Sequence, residues 1–244
     1  MSGVSIIIPV LNEAPRLPAL LAHLAPLRDR AEVIVVDGGS ADGSGEAARA
    51  LGWPRLVEAP RGRGRQMNAG AAAAGGEVLL FLHADARLPA GALEDIRAAL
   101  ADARVVGGRF DVRLDGPRPI YRAVEALMNL RSRWTGIWTG DQAIFVRRTV
   151  FERLHGYADI PLMEDVEFSR RLKRAGRGAC LRSRVLASAR KWEREGPLRT
   201  IALMWALRFL YMLGASPAGL HRLYYYRRPS APSLGSPGQT GPRF

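Results

Sequence analysis

The sequence predicts an α/β fold, a mainly parallel sheet with helices on both faces, and three observations carry that prediction. Short apolar runs alternate with stretches of helical spacing through residues 4–100. The apolar runs are continuous rather than alternating, as in strands buried on both faces. Each of the three clearest runs ends in polar residues, Asn12-Glu13, Asp37 and Asp85. In an open parallel sheet the crevice beyond the carboxyl ends of the strands is where ligands bind, so these residues are placed to meet one.

In chain order, residues 4–10 (VSIIIPV) form the first strand, and Leu11-Asn12-Glu13 lead into a helix that begins near Pro15 with Leu17, Leu20, Leu21 and Leu24 on one face. A second strand at 32–36 ends in Asp37, and a helix through Ala47, Ala48 and Leu51 follows. After a short strand at 56–58, residues 60–76 (PRGRGRQMNAGAAAAGG) read as a glycine- and arginine-rich loop feeding an alanine-rich helix. Residues 77–89 (EVLLFLHADARLP) form the central strand, which runs from Val78 through Leu82 into His83-Ala84-Asp85. Beyond it the pattern predicts a helix at 92–100, a strand at 105–112, a helix at 120–131, a short strand at 143–146 opened by Gly140-Asp141-Gln142, and a helix at 163–175 with Glu164 and Asp165 in its first turn.

Residues 198–213 are the most apolar stretch, but Arg199 and Arg208 interrupt it short of a bilayer-spanning length. Nine positions apart, those arginines project to opposite sides of a helix, leaving its middle apolar nearly all round. Such a helix needs cover from the domain core, a second subunit, or a membrane interface, where Trp205, Tyr211 and Tyr224 to Tyr226 would act as interfacial aromatics; core or subunit is the favoured reading. From residue 229 the chain is Pro, Ser and Gly and reads as a disordered tail. The expected division is therefore 1–195, a C-terminal apolar helical segment at 196–228, and the tail at 229–244.

The net charge is +13, and of 36 basic residues only Lys173 and Lys191 are lysines. The arginines are scattered, and no zinc-finger, RNP-like or helix-turn-helix pattern accompanies them, so nucleic acid is not the expected partner. A single cysteine, Cys180, and an N-terminus without a basic region and long apolar run lead us to expect a reducing cytoplasm, with peripheral contact at the inner face of the membrane as a variant of that expectation.

If the strands are parallel, Asn12-Glu13, Asp37, the 61–70 loop and Asp85 share one sheet edge. Asp37 is positioned to accept hydrogen bonds from a base or ribose, or else to satisfy a local turn. Arg61, Arg63 and Arg65 alternate with Gly62 and Gly64, a pattern suited to a diphosphate, yet no Gly-Lys-Ser/Thr closes it as in a P-loop. Asp85 is a candidate to hold a divalent cation against phosphate oxygens, or else to cap the next helix. An Asp in the first turn of a helix is stabilised as the anion, so Glu164-Asp165 offers a candidate proton acceptor.

These motifs, in this order, resemble the inverting GT-A-fold glycosyltransferases of the family 2 type, over roughly residues 4–195. Ile8-Pro9-Val10-Leu11-Asn12-Glu13 resembles the family's Pro-x-x-Asn-Glu signature, and the segment from Val36 to Gly43 its nucleotide turn. His83-Ala84-Asp85 stands in place of its Asp-x-Asp metal motif, Gly140-Asp141-Gln142 and Glu164-Asp165 resemble its acceptor-side and Glu-Asp motifs, and Arg190-Lys191-Trp192 its C-terminal basic and Trp element. More narrowly, GRGRQMNAG and FLHADARLP resemble a bacterial subgroup named for arsenosugar biosynthesis.

The resemblance implies a GT-A fold and transfer of a sugar from a nucleotide-diphosphate donor to a hydroxyl acceptor by single displacement. It implies Asp165 as catalytic base and Asp85 as ligand to Mg²⁺ or Mn²⁺. Pro9, Asn12, Glu13, Asp37, Gly62, Arg63, Gln66, Asn68, Gly70 and Asp85 would line the nucleotide-sugar, and Gly140, Asp141, Gln142, Glu164 and Trp192 would border the acceptor. His83 departs from the family pattern, and a neutral imidazole adds no negative charge for a cation. Two other readings stay open: a sugar nucleotidyltransferase, and a non-catalytic nucleotide-sugar-binding scaffold at a membrane surface. Besides donor and acceptor, the expected partner is a membrane touched peripherally, or a second copy of the chain, through the C-terminal helix.

Overall fold

A computed structural model describes residues 3–226. The tail expected at 229–244 lies outside them, as do the last two residues of the segment before it. The first half alternates as expected: β1 (Val4–Val10), α1 (Leu17–Leu24), β2 (Ala31–Asp37), α2 (Ser44–Ala50), β3 (Arg55–Glu58), α3 (Arg63–Ala73), β4 (Val78–Phe81), then the two-residue β5 (Ala86–Arg87) and α4 (Ala92–Leu100). The second half runs β6 (Val105–Leu114), α5 (Pro119–Thr135), a 3-10 turn at Gly140–Gln142, β7 (Phe145–Arg147), α6 (Arg148–Arg153), α7 (Glu164–Ala175), β8 (Arg177–Ala187), α8 (Arg190–Glu195), α9 (Pro197–Met212) and α10 (Pro217–Tyr226).

One eight-stranded sheet has the order β3-β2-β1-β4-β7-β6-β8-β5. The strands β3, β2, β1 and β4 are parallel, β7 is antiparallel to both of its neighbours, and β8 is parallel to β6. Alternation along each strand divides the core between two faces. Ile6, Ile8, Val33, Val35 and Leu80 pack with α1, α4 and α5, while Ile7, Ile34, Val36, Leu79 and Phe81 pack with α3, α6 and α7.

The register sets up the site. Val10 pairs with Asp37 and Ile7 with Phe81, so β1, β2 and β4 finish along one edge. From Phe81 to Ala86 is five peptide steps and includes a turn in which the Ala86 N–H donates to the His83 carbonyl at 3.1 Å. Yet β4 and β5 stand four strand spacings apart, about 19 Å across a flat sheet. A link of that length reaches at most about 18 Å fully extended, so the sheet must curl. Asp85 sits in the link, where the two halves face each other.

The segment expected as a loop is largely helix, because α3 begins at Arg63. Its glycines allow close packing rather than flexibility. A Cβ on Gly70 would fall 2.4 Å from Ile7 Cγ2 and 2.8 Å from Val36 Cγ2, and one on Gly64 would fall 2.7 Å from the Ala158 carbonyl oxygen. Gly70→Ala should therefore destabilise by roughly 1–3 kcal/mol, lowering Tm by about 3–10 °C in a melt followed by circular dichroism. An unchanged Tm would show that the helix can back away from the sheet freely.

Of the three kinds of cover expected for α9, the chain's own core supplies one side only. Thr200 and Leu207 are buried, and Leu207 joins Met163, Val166 and Leu220 in a small cluster at the start of α7. Its other side is open, with Leu198 75% and Trp205 61% exposed. Among the described residues no helix is long and apolar enough to cross a membrane.

Candidate active site

At the edge where β1, β2 and β4 end lies a cleft of about 1060 Å³. Pro9, Asn12 and Glu13 line it from the β1 end, Arg63 from the first turn of α3, and Asp85 from the β4–β5 link. Asp141, Glu164 and Asp165 come from the opposite half, and α9 and α10 close the wall with Met204, Leu207, Arg208, Tyr224 and Tyr225.

The β1 end is held by backbone bonds. The Asn12 side-chain oxygen accepts from Ala41 N–H at 2.9 Å, and the Ser40 and Ser44 hydroxyls accept from the N–H groups of Asn12 at 2.9 Å and Glu13 at 2.8 Å. Asp42 accepts from the N–H groups of Ala14 and Ser44 and so ties the two loops together. Asn12 and Met163, both on the cleft wall, have positive φ (56° and 71°), as does Ala143 (47°) just after the 3-10 turn. Strained backbone of this kind clusters at functional sites, where the surrounding structure over-determines it.

The 140–142 turn presents two groups. Its Gly140 N–H donates to Asp165 Oδ2 at 2.9 Å, while Asp165 Oδ1 accepts from Val166 N–H at 2.7 Å. Each carboxylate oxygen keeps a second lone pair for a substrate proton. Asp141 faces His83, whose Nδ1 lies 3.4 Å from Asp141 Oδ1. Burial works to raise the Asp141 carboxyl, but the hydrogen bond and charge of His83, with Arg63 and Lys191, outweigh it and hold the group at about 2.

Glu164 is only 3% exposed, and its carboxylate lies 3.5 Å from Arg63 Nη1. Burial, reinforced by the adjacent Asp165 charge, raises its pKa, with Arg63 opposing. On Arg63 burial disfavours charge, but Glu164, Asp165 and Asp141 prevail and strengthen its protonation. A carboxyl raised in the folded state binds its proton more tightly there than when unfolded. Its contribution to stability is then lost as pH rises from the unfolded pKa near 4.5 through the folded one. Glu164→Gln should consequently gain in stability relative to the parent protein between pH 4 and pH 8, read as a widening Tm difference. A constant difference would contradict the shift.

Several residues expected at the ligand do not reach the cleft. Gln66 is buried and donates both amide protons to carbonyls at the ends of β1 and β2, Val10 at 2.7 Å and Val36 at 2.9 Å. Asn68 exchanges two 2.8 Å bonds with the Tyr157 backbone. Asp37 Oδ1 accepts from Ser40 N–H and Oγ. Gln142 donates to Ser132 Oγ at 3.0 Å and anchors its turn to α5. Gly62 precedes α3 at φ 141°, Gly140 contributes its N–H, and Trp192 lines a neighbouring crevice. Of the three arginines expected around a diphosphate only Arg63 lines the cleft, because Arg65 is held by Asp159 at 2.7 and 2.8 Å and Arg61 lies elsewhere on the surface.

Sequence reasoning missed Arg208 and the whole wall from α9 and α10. The available signal was an arginine, Arg208, in the middle of an otherwise apolar stretch of helix.

The profile of glycosyl transferase family 2 matches residues 5–158, more than half of the chain. The chain belongs to this family. It is 36% identical over 108 residues to the uncharacterized glycosyltransferases Mb0553 of Mycobacterium bovis and Rv0539 of Mycobacterium tuberculosis, a stretch covering 44% of this chain and 48% of theirs. The chain thus spans about half the length of the curated relatives it matches. Among solved structures it resembles the mannosyltransferase PcManGT of Pyrobaculum calidifontis in complex with GDP-Man and Mn²⁺, with a TM-score of 0.67 and 26% identity over 95% of this chain and 66% of that one. It also shares its fold with S. aureus TarS in complex with UDP-GlcNAc, with a TM-score of 0.62 and 20% identity over 76% of this chain and 58% of that one. The GT-A-like architecture expected from the sequence is therefore present.

Proposed function

We propose that the protein transfers a sugar from a nucleotide-diphosphate donor to a hydroxyl acceptor within the 1060 Å³ cleft, by single displacement with inversion. The observation that carries this reading is the placement of two carboxylates across one cleft, Asp85 from the β4–β5 link and Asp165 from the first turn of α7, with different surroundings. Asp85 is exposed and has no hydrogen bond or ion pair among the described residues, whereas Asp165 is oriented by two backbone N–H groups. Asp165 would accept the proton of the attacking hydroxyl, and Arg63 would meet donor phosphate from the first turn of α3. Asn12 and Glu13 would border the nucleotide, Gln66 and Asn68 would hold that wall in place, and Asp141 would stand beside the acceptor.

The related mannosyltransferase PcManGT is seen in complex with Mn²⁺, and the donor set here fits a divalent cation. No group of three His, Cys, Asp or Glu side chains converges among the described residues, so the protein would supply Asp85 and the donor's phosphate oxygens would complete the ligand set. A bound divalent cation would stabilise negative charge on the departing nucleoside diphosphate. His83 does not fit as a ligand, since Nδ1 faces Asp141 and Nε2 is buried with no partner. A Cβ on Gly140 would fall 2.3 Å from that Nε2, which shows how closely the turn covers it.

A thermal-shift panel of nucleoside diphosphates and their sugars, each with Mg²⁺, Mn²⁺ or chelator, tests the reading. A nucleotide-selective, cation-dependent rise in Tm is expected, and no shift with any donor would overturn it.

A further inference from the structure

Next to the cleft lies a second, smaller crevice of about 160 Å³ between α5 and α9. Leu127 and Met128 line it from α5, and Trp192, Ile201, Met204 and Trp205 from α8 and α9. It opens into the cleft, because Asp85, Asp141, Ser188, Lys191, Met204 and Arg208 border both spaces. At its other end the rim is apolar and open to solvent, with Leu127 53% and Trp205 61% exposed.

Two guanidinium groups line the crevice, Arg131 from α5 and Arg208 from α9, and Arg208 also borders the cleft. Arg131 donates through Nη1 to the Ile137 carbonyl at 3.4 Å, while its Nη2 is buried with no partner. Arg208 has no hydrogen bond or ion pair among the described residues. Burial lowers the pKa of both, and the Arg208 charge adds to the effect on Arg131, bringing it to about 10, against the pull of Asp165 and Asp141. Two half-buried cations that repel each other, one with an orphaned N–H group, form a place where an anion relieves the repulsion.

We infer that this crevice is the acceptor subsite, and that the acceptor is an amphiphile whose alkyl or isoprenoid chain lies between α5 and α9 while a phosphate group near its hydroxyl sits between Arg131 and Arg208. The inference rests on the proposed glycosyl transfer and names the substrate class for it. Continuity with the cleft sets the direction: the chain enters past Leu127 and Trp205, and the polar end arrives beside Asp141 and within reach of the Asp165 charge. It also gives a role to Trp192, which lines the crevice rather than the cleft.

Calorimetry with alkyl phosphates below their micellar concentration tests this, with inorganic phosphate and octyl glucoside as controls and UDP with Mn²⁺ titrated in parallel. From butyl to octyl phosphate the Kd should fall by about fourfold per methylene until the crevice is full. Inorganic phosphate and octyl glucoside should each bind at least about tenfold more weakly than octyl phosphate. Arg131→Gln and Arg208→Gln should each weaken octyl phosphate by about tenfold or more without affecting octyl glucoside. Leu127→Asp alters a side chain outside the core and should weaken octyl phosphate while leaving UDP binding unchanged.

Affinity independent of chain length, or unchanged in Leu127→Asp, would overturn the proposal. So would competition between UDP and octyl phosphate together with loss of UDP affinity in Arg208→Gln, which would assign the arginines to the donor. A dimer that Leu127→Asp dissolves, without octyl phosphate binding, would assign the crevice to a second copy of the chain. Donor binding without amphiphile binding would sink this inference alone, whereas absence of donor binding would sink the transferase reading itself.

Discussion

Asp165→Asn is expected to lower the rate of sugar transfer by about 100- to 10,000-fold while leaving the affinity for nucleotide-sugar nearly unchanged. The asymmetry follows from the position of the carboxylate. Asp165 lies in the half of the cleft built by the 140–142 turn and α7, across from the strand ends where a donor would meet Asn12, Arg63 and Asp85. The amide is isosteric but cannot accept the proton of an attacking hydroxyl. One of its two positions would also present N–H to the N–H of Gly140 or Val166, so a Tm loss corresponding to about 1–3 kcal/mol is expected and should be measured alongside. Single-turnover kinetics at saturating donor separate the effects, because a misplaced turn changes affinity and stability whereas a missing base changes the chemical step. Full transfer activity in a folded Asp165→Asn protein would remove Asp165 from the mechanism.

Asp85→Ala should abolish the dependence of donor binding and turnover on divalent cations. A cation that polarises a phosphoryl oxygen is worth several kcal/mol at the transition state, so a loss of about a thousandfold in turnover is expected. Because Asp85 is exposed and has no partner among the described residues, the change should barely affect folding. The parent protein in chelator should fall to the same residual rate as Asp85→Ala. If chelator does nothing to the parent protein, metal-assisted departure of the nucleotide is excluded, and Arg63 with the neighbouring cations would have to stabilise the leaving group alone. His83→Ala gives the contrast: it should retain cation dependence, since that ring faces Asp141 and the Gly140 backbone.

Much of this architecture was legible in the residues. Continuous apolar runs fix strands buried on both faces, and the spacing of Leu17, Leu20, Leu21 and Leu24 fixes the face of α1. The polar residues at three strand ends, Asn12-Glu13, Asp37 and Asp85, point to one sheet edge as the place of the site. Where the sequence misled, composition was taken for conformation. Gly62, Gly64 and the neighbouring arginines look like a mobile anion loop, yet Gly64 and Gly70 are small because α3 lies against Ala158 and against Ile7 and Val36. Strand β8, reading RGACLRSRVLA, was missed because a partly exposed strand with several arginines has no continuous apolar signal.

The sequence by itself determined the family resemblance, the parallel half of the sheet and the residue types at its edge, because those depend on local pattern and on strands adjacent in the chain. Only the tertiary structure decided which of those residues reach the cleft. Gln66, Asn68 and Gln142 carry polar amides that a ligand or a backbone could claim, and long-range packing gave them to the backbone. Arg131 and Arg208 are 77 positions apart and meet only because α9 folds back over α5. That approach depends on the curl of the sheet and on the cluster of Leu207 with Met163 and Val166, contacts between distant segments that no local pattern encodes.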